Sequence, residues 1–264
     1  MRISPSITLL ILAFALGAAG VGRAQPVCTK VVVTADPEFP PFAWYDGKSL
    51  RGASVDVVLA VLDAIKLPYE LRYVGPFPRV LLRAEEGDVD IITELKRTPE
   101  RMAYLAYAET PIFTNPSAVY VRAEREMAVR TREDLRGLVG GVTRGTRFGD
   151  GLDEYIEASL QVQVASGIKE NFAKLEARRI DYFLSPYYPA QLHLLAAGEE
   201  AKFRALKPFV AEALNYVGWS RRSACLGRLA EFDAMLKRYL QASGRERLVN
   251  EGNIAWRRSP VMVR

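Results

Sequence analysis

The sequence is poor in the residues that most often do chemistry. One histidine and two cysteines stand among 264 residues. A zinc centre built from His and Cys cannot be assembled from them, and only His193 is available to any His-dependent triad. His193 lies in the apolar run QLHLLAA, where an imidazole is far more often a packed helical residue than a base, so it is given no role. Phosphate-binding signatures are missing too. No GxxxxGK[ST] occurs, the nearest stretch GGVTRGTRFGDG lacking the Lys-Ser/Thr ending, and no GxGxxG follows a strand. There is no GxSxG elbow, no low-complexity linker and no repeat. A concentrated charge of one sign is also absent. Thirty-six Lys+Arg against 31 Asp+Glu give +5, and the pairs Arg178-Arg179, Arg221-Arg222 and Arg257-Arg258 are scattered among acids. Without a basic stripe, nucleic acid is not expected as a partner.

What is present is ordinary globular material, 49% hydrophobic and 25% charged, enough for one large domain or two lobes. Residues 1–24 stand apart. Met1-Arg2 is a short basic start, residues 7–19 are apolar and uncharged, and Gly22 and Ala24 occupy the −3 and −1 positions before Gln25. This is the pattern of a secretory signal peptide cleaved near Ala24/Gln25, its apolar core shorter than the roughly 20 residues a membrane span needs. Cleavage removes Arg2 and Arg23 and no acid, so the balance falls to +3. Export to an oxidising compartment turns Cys28 and Cys225 into a disulfide candidate. Two buried free thiols are the alternative.

Strand and helix patterns alternate along the rest of the chain. β-branched or apolar runs at 30–35, 69–74 and 89–93 read as strands. Between and after them come a helix capped by Ser54, a short helix over 79–86 opened by Pro78 and closed by Gly87, and a helix capped by Thr98. A second series starts at Thr131, where TRED forms a capping box. Strands at 139–143, 160–165 and 180–185 follow, with helices over 168–179 and about 189–197, strands near 203–210 and 214–221, and a long helix over 226–241 ended by Gly244. Two such series predict an α/β protein of two lobes with mostly parallel sheets, joined by extended segments near 117–123 and 214–221. Lobe 1 is expected to hold 25–119 plus 218–264, and lobe 2 to hold 120–217.

Ligands of such folds sit in a crevice at the carboxyl ends of the strands. The loops there carry Asp36, Glu38, Phe39, Phe42, Trp44 and Tyr45 after the first strand, Glu94, Lys96 and Arg101 after VDIIT, and Arg144, Thr146 and Arg147 in the second series. An arginine fork beside helix-end N–H groups suits a carboxylate, and aromatic rings suit the apolar part of a small ligand.

The stretches TADPEFPPFAWYDGKSLRGASVDVVLAVLDAI and EEGDVDIITELKRTPERMAYLAYAETPIF resemble the extracellular solute-binding protein family 3, the polar amino-acid-binding components of ABC importers. DLRGLVGGVTRGTRFG, ARRIDYFLS and the tail SGRERLVNEGN resemble the remainder of that family, and the likeness covers 27–252. It implies a type II periplasmic binding protein fold whose lobes close on a small carboxylate or amino acid. It also implies a monomer in the periplasm with a permease of the inner membrane as partner, without metal, cofactor or catalysis. Arg101 of TPER is the implied α-carboxylate ligand. Thr93, Glu94 and Lys96 occupy contact positions at the strand end, Asp36, Phe39 and Trp44 follow the first strand, and Thr143, Thr146 and Arg147 come from the second lobe, with Thr146 as a carboxylate donor.

One departure matters. Many amino-acid binders end the second lobe's last strand with an Asp that holds the ligand ammonium, whereas IDYFLS runs into Pro186. An unpaired ammonium in a closed crevice costs about 2–5 kcal/mol. Either Glu94 or Asp36 takes the ammonium, or the ligand has none; Lys96 and Arg147 favour a second negative group, unless Glu94 and Lys96 merely pair. The same fold also hosts periplasmic enzymes resembling cyclohexadienyl dehydratase, in which Glu94 would donate a proton, and ligand-sensing modules that report to a membrane receptor. A structural protein with an inert crevice completes the alternatives.

Overall fold

A computed structural model describes residues 27–259, so the segment read as a signal peptide lies outside the described residues. The chain enters through β1 (Val31–Thr34) and a small antiparallel ribbon, β2 (Glu38–Phe39), β3 (Ala43–Tyr45) and β4 (Leu50–Arg51). Then come α1 (Ala53–Ala64), β5 (Tyr69–Leu71), α2 (Phe77–Glu86), β6 (Ile91–Lys96), the one-turn α3 (Pro99–Met102) and β7 (Leu105–Tyr107). The long strand β8 (Phe113–Arg122) leads into the second series. There a 3-10 turn at Arg132–Leu135 precedes β9 (Val139–Thr143), α4 (Leu152–Ser159), β10 (Gln161–Ala165) and α5 (Ile168–Glu176). β11 (Tyr182–Pro186), α6 (Tyr187–Ala197) and β12 (Phe203–Ala205) complete it. A second long strand, β13 (Ala211–Ser220), returns to the first series, which α7 (Leu229–Ser243) and α8 (Arg245–Arg257) finish.

Sheet topology explains how two bodies arise from one chain. The strand order is β10-β9-β11-β8-β13-β6-β1-β5, with β12 beside β8 and β7 beside β13. β5, β1 and β6 form one parallel block and β10, β9 and β11 another. β8 and β13 run antiparallel between them. The start of β13 pairs with the start of β8, from Ala211↔Ser117 to Asn215↔Phe113. Its later half pairs with β6, from Asn215↔Lys96 to Trp219↔Ile91, while the later half of β8 pairs with β11. Each long strand therefore begins in one block and ends in the other.

The apolar cores separate in the same way. Val33, Val58, Leu62, Ile91, Trp219, Phe232 and Leu236 belong to one cluster, in which the Val/Leu face of α1 meets α7. Val119, Val121, Leu135, Phe148, Tyr182 and Leu184 form another, and Tyr120, Phe172, Phe183 and Leu194 a third, both in the second block. Trp44, Trp256, Leu192 and Leu195 form a small cluster joining β3 and α8 to α6. The Cys28–Cys225 disulfide is present and ties the chain just before β1 to the approach to α7. Among the described residues no helix is long and apolar enough to cross a membrane.

Several local expectations need revision. Ser54 does not cap α1: Gly52 holds the N-cap at φ 126, and a Cβ there would sit 2.3 Å from the Phe42 carbonyl oxygen. Ser54 lies inside the helix, donating from Oγ to Phe42 O at 2.9 Å. β6 does not stop at Thr93 but runs to Lys96, because β13 keeps pairing with it that far. The TRED box forms, with the Asp134 carboxylate accepting from Thr131 N at 3.0 Å, yet it opens a 3-10 turn and not an α-helix. The β2–β4 ribbon, β7, α4 and α8 had no counterpart in the sequence pattern.

Candidate functional site

Between the two blocks, at the carboxyl ends of their strands, lies a cleft of about 110 Å³. From β6 the cleft is lined by Glu94, Leu95 and Lys96, the Leu95 side chain belonging to a buried apolar cluster, while Thr93 does not line it. Thr93 is fully buried and shares a 2.9 Å hydrogen bond with the Ser54 hydroxyl, so it supports the floor from behind. Asp36 and Phe39 line the cleft from the segment after β1, as does Glu38. Trp44 does not; it packs edge-to-face on Trp256, ring centres 5.4 Å apart, beside Leu192. From the second block come Thr143, Thr146 and Arg147, together with Arg144 at an exposed position.

Burial governs the electrostatics. Glu94 is 3% exposed; Asn215 Nδ2 donates to its Oε2 at 3.2 Å, and its Oε1 has no partner. Desolvation pushes its carboxyl up to about 8, against the Asn215 hydrogen bond and the charge of Lys96. Desolvation likewise raises Asp36 to about 7, although the Glu38 amide donates to it at 3.0 Å. Lys96 is brought down to about 8 by burial, partly offset by Glu94 and Asp153, and its Nζ donates to Asn115 O at 3.3 Å. Asp36 and Glu94 thus remain largely protonated through the mildly acidic range, while Lys96 is charged.

Arg101 is 4% exposed and held from several sides. Its own amide donates to the Thr98 hydroxyl at 3.3 Å, the N-cap of α3. Nη1 donates to Lys96 O at 3.1 Å, Nη2 donates to Gly145 O at 3.0 Å, and the guanidinium lies 5.4 Å from the Phe77 ring centre. Gly145 belongs to the turn after β9, so Arg101 reaches across from the first block to the second. Arg147 reaches the opposite way, its Nη2 3.1 Å from Glu100 Oε2. Thr146 closes the turn by donating its amide to Thr143 O at 3.1 Å, and Asn171 of α5 donates to the Thr143 hydroxyl at 3.1 Å. With three donor positions left on its fork, Arg101 still presents N–H groups suited to a carboxylate.

Sequence reasoning missed part of the lining: Phe77 and Pro78 at the start of α2, Ser166, Ser185 and Pro186, and Asn215 of β13. Asn215 was legible in one respect, as an amide inside the otherwise apolar strand ALNYVGW. A buried carboxamide in such a strand needs partners, and its Oδ1 has none; nor does Ser185 Oγ. His193 is far from this chemistry, stacked on Phe172 with its ring centre 5.9 Å away. Among the described residues no group of three or more His, Cys, Asp or Glu is placed to hold a metal ion.

Two α/β blocks, two crossing strands and a charged cleft between strand ends define a two-lobed binding protein of the type II periplasmic class. The chain belongs to the bacterial extracellular solute-binding proteins, family 3, whose family profile matches residues 31–253. Solved structures of the same fold include the GluR0 ligand-binding core in complex with L-glutamate, at 17% identity and a TM-score of 0.69 over 86% of this chain and 98% of that one. A mutant of ArgBP from T. maritima matches at 17% identity and 0.68, over 86% and 96%. The arginine-, lysine-, histidine-binding protein ArtJ from Geobacillus stearothermophilus matches at 20% identity and 0.67, over 84% and 94%. At these identities the likeness is one of fold.

Proposed function

We propose that the protein captures a small carboxylate-bearing solute, an amino acid in the first instance, by closing its two lobes on it. The observation carrying this reading is Arg101: a buried guanidinium at the cleft, with donors to spare, already bonded to a backbone carbonyl of each block. The amino-acid class is supported by the glutamate complex and the arginine-, lysine- and histidine-binding protein among the related folds. In this reading Arg101 and the Thr143–Thr146 turn hold the carboxylate, Phe39 and Phe77 cover apolar atoms, Asp36, Glu94 and Lys96 set the polarity, and Arg147 helps join the lobes.

Lobe 1 comprises 25–119 plus 218–264 and lobe 2 comprises 120–217, a division supported by the separate cores and by β8 and β13 each changing block midway. The mature protein is a periplasmic monomer released by cleavage near Ala24/Gln25, delivers its solute to an ABC permease and turns nothing over. Closure is a population shift, driven by a ligand that contacts both lobes. A thermal-shift panel of amino acids and small carboxylates finds the ligand, since a compound at 100 times its Kd adds about 2.7 kcal/mol. Calorimetry on Arg101→Ala with that ligand is then expected to lose binding by a hundredfold or more, on the order of 3 kcal/mol. Unchanged affinity would sink the reading.

A further inference from the structure

We infer that α6 is an apolar clasp between the lobes: its Tyr188, Leu192 and Leu195 stripe seats on lobe 1 and biases the protein towards the closed form before any solute arrives. The inference rests on the two-lobe division above and is independent of what the cleft binds. α6 is apolar on two faces. Tyr187, Ala190 and Leu194 join a core of the second block. Tyr188, Leu192 and Leu195, spaced i, i+4 and i+7, form the other face and meet the first block. Tyr188 packs against that block's main core, its ring edge-on to Phe42 at 5.6 Å, and its amide donates to Asn115 Oδ1 at 3.4 Å. Leu192 and Leu195 pack with Trp44 and Trp256. Two adjacent tyrosines thus serve opposite lobes, which places α6 between them.

The receiving surface belongs to lobe 1 and is firmly built. Trp44 stands on β3 and Trp256 on α8, their rings edge-to-face. α8 lies so close to the ribbon that a Cβ on Gly252 would stand 2.6 Å from Pro41 O. Trp44, Trp256 and Leu192 are 3%, 7% and 5% exposed, so parting the lobes here would bring two indoles and their α6 partners into water. Apolar burial opposes that. Trp44, Trp256, Tyr188, Leu192 and Leu195 do not line the cleft, so their contacts are made from protein to protein and need no solute. Polar ties also cross the lobes, from Arg147 to Glu100 and from Arg101 to Gly145 O. The first of these is largely solvated and adds little by itself, which leaves the apolar stripe as the principal tie. A solute then completes a shift already begun, and binds more tightly for it, because the competent form is populated beforehand.

The chain's three tryptophans supply a readout without any ligand. Trp44 and Trp256 sit in the clasp, and Trp219, fully buried in the first core, is the internal reference. The mature protein is unfolded with its disulfide intact, dialysed to remove any solute and refolded, then followed by acrylamide quenching and small-angle scattering. All three rings should be shielded and the radius of gyration should lie near the compact value, about 18 Å. Leu192→Ser/Leu195→Ser should raise the quenching constant roughly twofold, shift emission to the red and enlarge the radius, with far-ultraviolet dichroism unchanged. Leu195→Ser alone, at a partly buried position, should act in the same direction to a smaller degree and decides the matter if the double variant does not fold. Wild-type rings quenched as freely as those of the variants, or variants as shielded and compact as the wild type, overturn the inference and leave the solute-capture reading standing.

Discussion

Glu94 has an unusual consequence for stability. Its carboxyl is raised from 4.5 to about 8 and that of Asp36 from 3.8 to about 7, both chiefly by burial. Between about pH 4.5 and 7–8 the folded chain holds protons that the unfolded chain has lost, so stability falls as pH rises through this window. Lys96, lowered from 10.5 to about 8, acts in the opposite sense above it: the folded state holds fewer protons and stability recovers. The ligand-free protein should therefore melt higher at pH 5 than at pH 8, by on the order of 3 kcal/mol from Glu94, or roughly 5–10 °C. Glu94→Gln should remove about half of that slope in a calorimetric series, Asp36 supplying the rest; a wild-type melting temperature that rises from pH 5 to 8 would contradict it. Glu170, lowered to about 2 by the Ser166 amide and hydroxyl and by Lys174, exerts its influence below this window.

At the scale of elements, the alternating core was written plainly. The runs that became β1, β9 and β11 are mostly β-branched or apolar, β10 alternates Gln and Val, and Pro78 and Gly87 mark α2 at both ends. What failed to show are elements whose stability comes from elsewhere in the chain. The β2–β4 ribbon is built from an aromatic, proline-rich stretch that reads as loop, and its residues are fixed by Pro41 O accepting from Ala53 N and by Phe42 packing on Phe113. α4 is secured from its own Asp153, whose carboxylate accepts the amides of Phe148 and Gly149 before the helix begins. The candidate site was legible to the same degree. Residues on strand ends were found from position in the pattern, but Trp44 and Thr93 could not be separated from their cleft-facing neighbours, because facing is set by register and by partners distant in sequence. Asn215 and Ser185 were missed because a polar residue in a buried strand has no motif.

The turn into α1 gives a prediction at this scale. Gly52 combines φ 126 with a backbone oxygen where a Cβ would stand, so both strain and collision oppose any side chain. Gly52→Ala should destabilise by about 2–4 kcal/mol in urea unfolding. A loss under 0.5 kcal/mol would mean that the ribbon shifts freely, which its burial argues against.

For the molecule as a whole, the disulfide and the cleft answer to different measurements. Cys28 and Cys225 close a loop across 197 positions, and both pack against the core of the first block. Chain entropy assigns such a bridge roughly 5 kcal/mol, less where the unfolded chain keeps structure. Replacing both cysteines by serine should therefore lower stability by about 2–5 kcal/mol yet leave ligand affinity within about twofold, because neither residue lines the cleft. Loss of binding in a variant that is still folded would indicate that the bridge sets the lobe arrangement.

The pairing Ser117↔Ala211 joins the strand that leads into the second block to the strand that returns from it, so that block's entry and exit share one rung of the ladder. What is carried between those two points meets the first block at identifiable contacts, Trp44 and Trp256 on Leu192, Phe42 on Tyr188, and Arg101 on Gly145 O. Shortened there to a hairpin turn, the chain would keep the strands and caps of Glu94, Arg101 and Asn215 and lose the opposite cleft wall that Thr143, Thr146 and Arg147 supply. Evolution by insertion, and engineering by exchange, would both have a seam of a single backbone pair at which to work, so the wall contributed by Thr143, Thr146 and Arg147 can be exchanged apart from the strand that carries Glu94 and Lys96.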